Sequence, residues 1–286
     1  MGVNPTTIAV AAGRRVVAAA TLALAAIAPL APAAALSTPA PQTTLHAVYI
    51  ISISGLAIGR AEVKARFTDR GYAAAITGST YGITRFVSDA SATLAGAGRI
   101  LGDTITPASY NLETSDSGFD TSVSMTMRGG SVVGLQALPN LPKEDDRVPF
   151  PPDARQNVVD PVGAFVVALD KPGAADTSVC NRTVHVFDGW KRYDVRLSYK
   201  ETHTNSDGSN VYVCAARYVP VAGHRTSDDS VTYMADNTRL EVWLSAVPGT
   251  RYMVPSHVLV GTKIGDLVIN ARTFETLDEA QQASAD

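Results

Sequence analysis

The densest group of chemically reactive side chains lies between Ser178 and Tyr199, in the segment SVCNRTVHVFDGWKRYDVRLSY. A cysteine, a histidine, two aspartates and several arginines in so short a run would suit acid–base or metal chemistry. Asp188 and Gly189 interrupt the run with the strongest short-range signal for a β-hairpin turn. Because side chains alternate across a strand, a hairpin places these residues on two faces rather than in one site.

A two-residue turn at Asp188 and Gly189 pairs Val184 with Tyr193. The apolar face of this hairpin then holds Cys180, Val184, Val186, Tyr193, Val195, Leu197 and Tyr199. The polar face holds Asn181, His185, Arg192, Asp194, Arg196 and Ser198. Arg182 and Lys191 do not fit, since both fall on the apolar side. We interpret His185, Arg192 and Asp194 as an exposed surface ladder rather than a catalytic group.

A second turn at Asp207 and Gly208 continues the meander and adds Tyr212, Cys214, Ala216 and Tyr218 to the same apolar face. An apolar face on a curved sheet favours binding of a hydrophobic ligand. The residues predicted to bind it are Tyr193, Val195, Leu197, Tyr199 and Tyr218.

Cys180 and Cys214 are the two cysteines of the chain, and an even count in an exported protein predicts a disulfide. In the simplest register they lie two strands apart and four residues out of line, roughly 16 Å from each other. A disulfide needs Cα atoms within about 7 Å. Either the pair is bonded and Cys180 belongs to the preceding loop, or both are free thiols on a core face.

No motif for catalysis or metal binding stands out elsewhere. The five histidines lie far apart without H-x-x-x-H or C-x-x-C spacing, and no G-x-S-x-G elbow occurs. The serine neighbourhood SDSGF at residues 115–119 has the composition of a hairpin turn. We therefore predict no catalytic residue, metal ligand or cofactor, and a hydrolase is the least favoured hypothesis.

The N-terminus has the features of a secretory signal peptide. Residues 1–35 contain Arg14 and Arg15, no acidic residue, and an apolar run that ends in small residues. Cleavage near Ala35 would remove two positive charges and change the formal net charge from -3 to about -5. An acidic chain without a basic run argues against a nucleic-acid partner. We expect an exported, periplasmic protein that is not integral to the membrane after cleavage.

Short runs of alternating hydrophobicity, separated by glycine-rich turns, predict an all-β, mainly antiparallel fold from residue 45 to 276. We expect a strongly curved meander or half-barrel, with six or seven strands before residue 138. A connection with six prolines follows at residues 139–161. One short helix is predicted over Pro161–Leu169, capped by Asp160. Residues 36–44 and 277–286 are predicted to be a flexible segment and a disordered tail.

Several segments resemble the exported bacterial domain-of-unknown-function 3108 family. They are ISGLAIGRAEV, GYAAAITGSTYGI, DPVGAFVVAL, CNRTVHVFDGWKRYDVRL, CAARYVPVAGH and VPSHVLVGTKIGDLVI, in this order between about Tyr49 and Thr276. The helix segment departs from the family pattern at Val162 and Gly163. The resemblance implies an envelope protein with a curved antiparallel sheet, similar in kind to half-barrels that shelter acyl chains. It implies no activity and no catalytic residue.

Three functional hypotheses follow. The first is a non-enzymatic binding protein for a lipid or another hydrophobic molecule. The second is a structural or assembly module that contacts another envelope protein through its sheet edges or the tip formed by Phe187 and Trp190. The third is an enzyme.

Overall fold

The computed structural model describes residues 42–82 and 89–278, and the signal peptide predicted at residues 1–35 lies outside them. Strand β1 begins at Gln42 and strand β14 extends to Asp278. The sheet therefore includes the last residues of the predicted flexible segment 36–44 and the first residues of the predicted tail 277–286.

Within the described residues, the sheet contains 14 strands. The first half consists of β1 (Gln42–Ile53), β2 (Leu56–Thr68), β3 (Gly71–Thr80), β4 (Ser91–Leu101), β5 (Thr104–Asp116), β6 (Phe119–Arg128) and β7 (Ser131–Leu138). The second half consists of β8 (Val167–Ala168), β9 (Arg182–Phe187), β10 (Arg192–Thr204), β11 (Asn210–Ala222), β12 (Leu240–Ala246), β13 (Tyr252–Thr262) and β14 (Gly265–Asp278). Seven strands up to residue 138 agree with the number expected from the sequence.

Neighbouring strands follow the order β7-β6-β5-β4-β3-β2-β1-β14-β13-β12-β11-β10-β9, and β8 pairs with β13 outside this path. Each half is a meander, and the halves join where the first strand pairs with the last. The two ends of the path are β7 and β9, so the sheet is not closed into a barrel.

The strands form where apolar residues alternate with polar ones. In β6, Val123, Met125 and Met127 are buried, whereas the residues between them are exposed. This period of two places one row of side chains in the core and the other in solvent.

A strap, residues 139–169, leaves β7, crosses the inner face of the sheet and ends with the short strand β8. Its residues Val158, Val162, Val166 and Ala168 are buried in the main core. The sheet contributes partners from both halves, including Leu45, Phe67, Tyr110, Met125, Phe187 and Tyr252. The middle of the curved sheet is therefore packed by the protein's own chain.

The prediction of a helix over Pro161–Leu169 is wrong. The segment makes only a 3-10 turn at Gly163–Phe165 and then enters β8, where Ala168 pairs with Tyr252 of β13. Its run of β-branched valines loses side-chain freedom in a helix and suits extended backbone. The capping role of Asp160 is present, since its Oδ1 accepts hydrogen bonds from the N–H groups of Val162 and Gly163 at 2.9 and 3.0 Å.

The strap also connects the two edge strands of the sheet. On the β7 side, Val132 N–H donates to Arg155 O at 3.0 Å and Val158 N–H donates to Gly130 O at 2.9 Å. On the β9 side, Val159 N–H donates to His185 O at 2.8 Å and Phe187 N–H donates to Val159 O at 3.0 Å. These bonds satisfy backbone groups that an open sheet would leave exposed at its edges.

The sheet curls strongly around the strap. A Cβ atom added to Gly189, in the turn after β9, would lie 2.7 Å from Cγ1 of Val123 on β6. Because β6 and β9 lie near opposite ends of the strand order, this contact requires the sheet to bend back on itself. The predicted all-β, mainly antiparallel, curved meander is confirmed.

The α-helix of the described chain lies elsewhere than predicted, at α1 (Asp229–Asp236) between β11 and β12. Asp228 caps it, with its side chain accepting a hydrogen bond from Ser230 N–H at 2.9 Å. We did not predict this helix, because its eight residues are too few to show a helical period against the surrounding strands.

Candidate functional site

The hairpin centred on Asp188 and Gly189 exists, but its turn is longer than predicted. Phe187 pairs with Arg192, so four residues form the turn, and Val184 faces Val195 instead of Tyr193. The side chain of Asp188 causes the difference, because its Oδ1 accepts hydrogen bonds from Trp190 N–H at 2.8 Å and Lys191 N–H at 2.6 Å. A register error of two residues leaves every side chain on its predicted face.

Cys180 and Cys214 form a disulfide with Cα atoms 5.1 Å apart. Cys180 lies in a 3-10 turn, Thr177–Cys180, that precedes β9. Leu197 pairs with Arg182 and Tyr199 pairs with Cys214, so the true register brings both cysteines level with Tyr199. Both the register error and the loop position of Cys180 explain why the simplest hairpin placed them too far apart.

The five residues predicted to bind a ligand are mostly packed against their neighbours. Tyr193 and Tyr218 contact each other, with ring centroids 5.2 Å apart. Leu197 packs against the buried cluster around the disulfide, and Tyr199 is 40% exposed. None of these residues, nor Val195, lines any of the three clefts described below.

The polar face of the hairpin carries a connected set of charges. Asp194 accepts a hydrogen bond from Arg192, and its Oδ1 lies 2.8 Å from His185 Nδ1. Burial acts to raise the pKa of Asp194, but the bonds from His185 and Arg192 outweigh it and lower that pKa. Arg192 is buried, so this ladder is less exposed than predicted.

A cleft of about 620 Å³ opens between the two halves of the sheet, and we call it the seam cleft. One wall is β9 with the 3-10 turn before it, and the other is the start of β5 with the turn that precedes it. The strap and β8 form its floor. Its aliphatic lining includes Ile105, Val158, Val167, Leu169, Val179 and Val184. This volume lies within the range of about 300–1,000 Å³ that small-molecule sites occupy.

Arg182 is the unusual residue of the seam cleft. It shares a face of β9 with Val184, and both line the cleft. Burial lowers the pKa of its guanidinium, while the negative charge of Asp103 acts in the opposite direction. With the residues that the structure describes, this guanidinium forms neither a hydrogen bond nor an ion pair. A partly desolvated cation without a partner is unfavourable unless something else binds it.

Two other clefts lie on the same molecule. The first, of about 730 Å³, lies between β5–β7 and the start of the strap, and Trp190 and Arg155 line it. The second, of about 940 Å³, lies among surface turns and is lined by Arg70, Arg99 and Lys171. Among the described residues that line these two clefts, no charged side chain is both half-buried and without a partner, as Arg182 is.

A second polar group without a complete set of partners lies inside the core. Oδ2 of Asp160 and Oη of Tyr72 are buried, and neither has a hydrogen-bond partner among the described residues. Burial raises the pKa of Asp160 to about 6, against the lowering effect of the N–H groups of Gly163 and Val162. Burial, and then the charge of Asp160, raise the pKa of Tyr72. No described cleft reaches these atoms.

The tip that we proposed as a contact point is largely buried. Phe187 belongs to the main core, and Trp190 is half-buried, with its indole N–H donating to Pro139 O at 3.0 Å. The side chain of Arg155 lies over the Phe187 ring, 5.5 Å from its centroid. The tip therefore stabilises the strap rather than presenting an aromatic surface.

Within residues 42–82 and 89–278, no group of three or more His, Cys, Asp or Glu side chains is placed to hold a metal ion. His185 lines the seam cleft, but within the described chain its ring bonds only to Asp194 and no hydroxyl lies within hydrogen-bond distance. None of the helices in that part of the chain has the length and apolar content to span a bilayer.

Fold and cleft together define a class of protein: a curled, open antiparallel sheet whose edges are joined by an internal strap. The model of the family "Protein of unknown function (DUF3108)" matches residues 48–272, and the chain belongs to this family. No curated protein matches the chain. Among solved structures it is similar to the crystal structure of a beta-barrel-like protein of domain of unknown function DUF1849 from Brucella abortus. That similarity has a TM-score of 0.45 and 8% identity, and covers 84% of this chain and 98% of the other.

Proposed function

We propose that the protein is a non-enzymatic binding protein for a hydrophobic molecule that carries a charged group, and that the seam cleft is its site. The observation that carries this proposal is Arg182, a partly desolvated cation without a hydrogen-bond or ion-pair partner among the described residues, on the wall of a cleft lined by both polar and aliphatic residues. A negatively charged group on the ligand would pair with the guanidinium, and its apolar part would lie along the aliphatic residues.

This proposal moves the ligand away from the residues chosen by sequence. The strap packs against the inner face of the sheet, and none of the described clefts is lined by the residues chosen from the sequence, which are Tyr193, Val195, Leu197, Tyr199 and Tyr218. At the seam cleft the strap and the side chain of Arg251 connect the two halves of the sheet, and open space remains between the walls.

We test the site with 1-anilinonaphthalene-8-sulfonate, a fluorescent probe that has an apolar ring system and one negative charge. We expect the wild-type protein to bind it and Arg182→Met to lose at least about tenfold in affinity, since a desolvated charge pair is lost. Arg196→Met is the matched control, because Arg196 is exposed on β10 and does not line the cleft. Equal affinities in all three proteins would refute the site.

Native mass spectrometry of the protein purified from its own envelope tests the function itself. A copurified amphiphile that is absent from Arg182→Met supports carriage. Wild-type protein that carries nothing and binds no probe would contradict the proposal.

The disulfide supports our proposal that the protein acts after export, in the periplasm, since such bonds persist in oxidising compartments. Expression with and without residues 1–35, followed by cell fractionation, tests it. Full-length protein that stays in the cytoplasm with reduced cysteines would contradict it.

An assembly module is the second candidate, and one observation favours it. On the edge strand β7, Val133 and Leu138 are 56% and 58% exposed, and Leu138 borders the cleft beside Trp190. Exposed apolar residues on an edge strand suit strand addition by a partner. A photo-crosslinker at Leu138 that gives a discrete adduct in the envelope would favour this candidate, and an absence of adducts would count against it.

A further inference from the structure

We propose that the ligand of the seam cleft has a zwitterionic headgroup, with an anionic phosphate or carboxylate and an ammonium group. This inference rests on the proposed function and specifies its ligand. It derives from the charges on the wall opposite Arg182.

Two carboxylates lie on the opposite wall and at the adjoining end of the floor, and we call this region the acidic wall. Asp103, in the turn between β4 and β5, and Asp170, just after β8, both line the cleft. In the part of the chain that the structure describes, neither carboxylate forms an ion pair. Asp103 accepts a hydrogen bond from the Thr104 hydroxyl at 3.3 Å. Asp176 also lines the cleft, but its carboxylate is engaged in capping the 3-10 turn through Ser178 N–H.

The acidic wall is held in place by Arg251. One arm of its guanidinium donates to Gly102 O at 2.8 Å, next to Asp103, and the other donates to Leu169 O at 3.0 Å and Asp170 O at 3.3 Å. The turn and the end of β8 are thereby connected to the same side chain. Because these bonds use backbone carbonyls, they leave the Asp103 and Asp170 carboxylates free to meet a ligand.

The charged side chains of the two walls interact electrostatically but form no ion pair with each other. The charge of Asp103 acts on the pKa of Arg182, yet no ion pair joins the two side chains among the described residues. The gap therefore separates a cation from two carboxylates across a cleft that has space for a ligand.

This arrangement selects by charge. A singly charged anion would pair with Arg182 but would be repelled by Asp103 and Asp170. A singly charged cation would pair with these carboxylates but would be repelled by Arg182. A headgroup with both charges pairs with both walls and leaves no like charges close together. The apolar part would then lie along Ile105, Val167 and Leu169.

The test uses three amphiphiles with the same apolar chain: dodecylphosphoethanolamine, dodecyl phosphate and dodecylamine. Each amphiphile is added to wild-type protein at concentrations below those at which the amphiphile aggregates, and displacement of the fluorescent probe is measured. We expect the zwitterion to bind at least about tenfold more tightly than either singly charged compound. Dodecylphosphocholine, whose quaternary ammonium has no N–H donor, then shows whether the ammonium acts by hydrogen bonding or by charge alone.

Variants separate the headgroup inference from the binding function. Asp103→Asn should narrow the difference in affinity between the zwitterion and dodecyl phosphate, because one attraction for the ammonium and one repulsion of the phosphate are removed together while Asp170 remains. Asp145→Asn, on the exposed part of the strap, should change neither value.

Binding of dodecyl phosphate to wild type as tightly as the zwitterion, with no change in Asp103→Asn, would overturn the headgroup inference and leave the proposed function standing. If none of the three compounds displaces the probe, the proposed function itself fails.

Discussion

Asp160 and Arg182 are both charged side chains without a full set of partners, but their surroundings differ. Asp160 is 0% exposed inside a core closed by the strap, and the atoms around it belong to the protein. Arg182 lies on the wall of an open cleft of about 620 Å³. The same deficit therefore has two meanings: in the closed core it is a cost to stability, whereas in the cleft it leaves a place for a ligand.

The largest expected effect on stability comes from removing the disulfide between Cys180 and Cys214, which lies beside the cleft wall that carries Arg182. The disulfide fixes the 3-10 turn that carries Val179 in the wall of the seam cleft. For a loop of 34 residues, Cys180→Ala with Cys214→Ala should lower the free energy of unfolding by about 3–4 kcal/mol. Urea unfolding measures this, with reduced wild type as the matched control. A loss below about 1 kcal/mol would contradict the expectation.

Asp160→Asn tests whether the buried charge of Asp160 lowers the stability of the core. Asn keeps an oxygen for the N–H groups of Val162 and Gly163 without burying a charge. The pKa of Asp160 is raised to about 6, above its unfolded value near 4. Its contribution to stability is therefore complete below about pH 4 and is lost as the pH rises through 6.

The variant should accordingly be more stable than wild type by about 2–3 kcal/mol at pH 8 and nearly equal to it at pH 4. Urea unfolding at both pH values measures the difference. A variant that is less stable at pH 8 would show that the buried charge is compensated in a way we have not identified.

Gly163→Ala tests how closed the core is around Asp160. The added Cβ would lie 2.6 Å from Tyr72 Oη and 3.0 Å from Asp160 Oδ2. We expect a loss of about 1–3 kcal/mol from overpacking. Tyr72→Phe removes the oxygen that clashes and should restore part of this loss in the double variant, as thermal unfolding would show. Full tolerance of Gly163→Ala alone would mean that the core has free space.

Arg182→Met should have the smallest effect on stability, within about 1 kcal/mol of wild type, because the guanidinium forms no bond that the variant would break. Its loss should instead appear in binding. A fall of more than about 2 kcal/mol in unfolding free energy, measured in urea, would mean that Arg182 is structural and that the two charges do not differ as we infer.

Sequence alone predicted the features that depend on neighbouring residues. Alternation in segments such as FDTSVSMTMR gave the antiparallel strands, and Asp188 with Gly189 gave the hairpin. The register failed by two residues because it depended on side-chain hydrogen bonds of Asp188 within the turn. Those bonds favour a longer turn but carry no distinct sequence signal.

The features that depend on distant residues were not predictable. Nothing local indicates that Val158 and Val162 pack inside the sheet, or that Asp103 faces Arg182 across a cleft. One signal was present, since Arg182 fell on the apolar face of the hairpin. We did not read that mismatch as a site, because Lys191 fell on the same face and the apolar residues there drew the prediction to themselves.

The pairing of β1 with β14 also constrains how the chain is completed during synthesis. Of the described strands, β1 is synthesised first and β14 last, so the edge of β1 that pairs with β14 stays unpaired until β14 has been made. That strand contains the apolar run LHAVYIISI, which would pair readily with other chains while it waits. A molecule that lacks β14 therefore keeps an unpaired, apolar strand edge at the centre of its sheet.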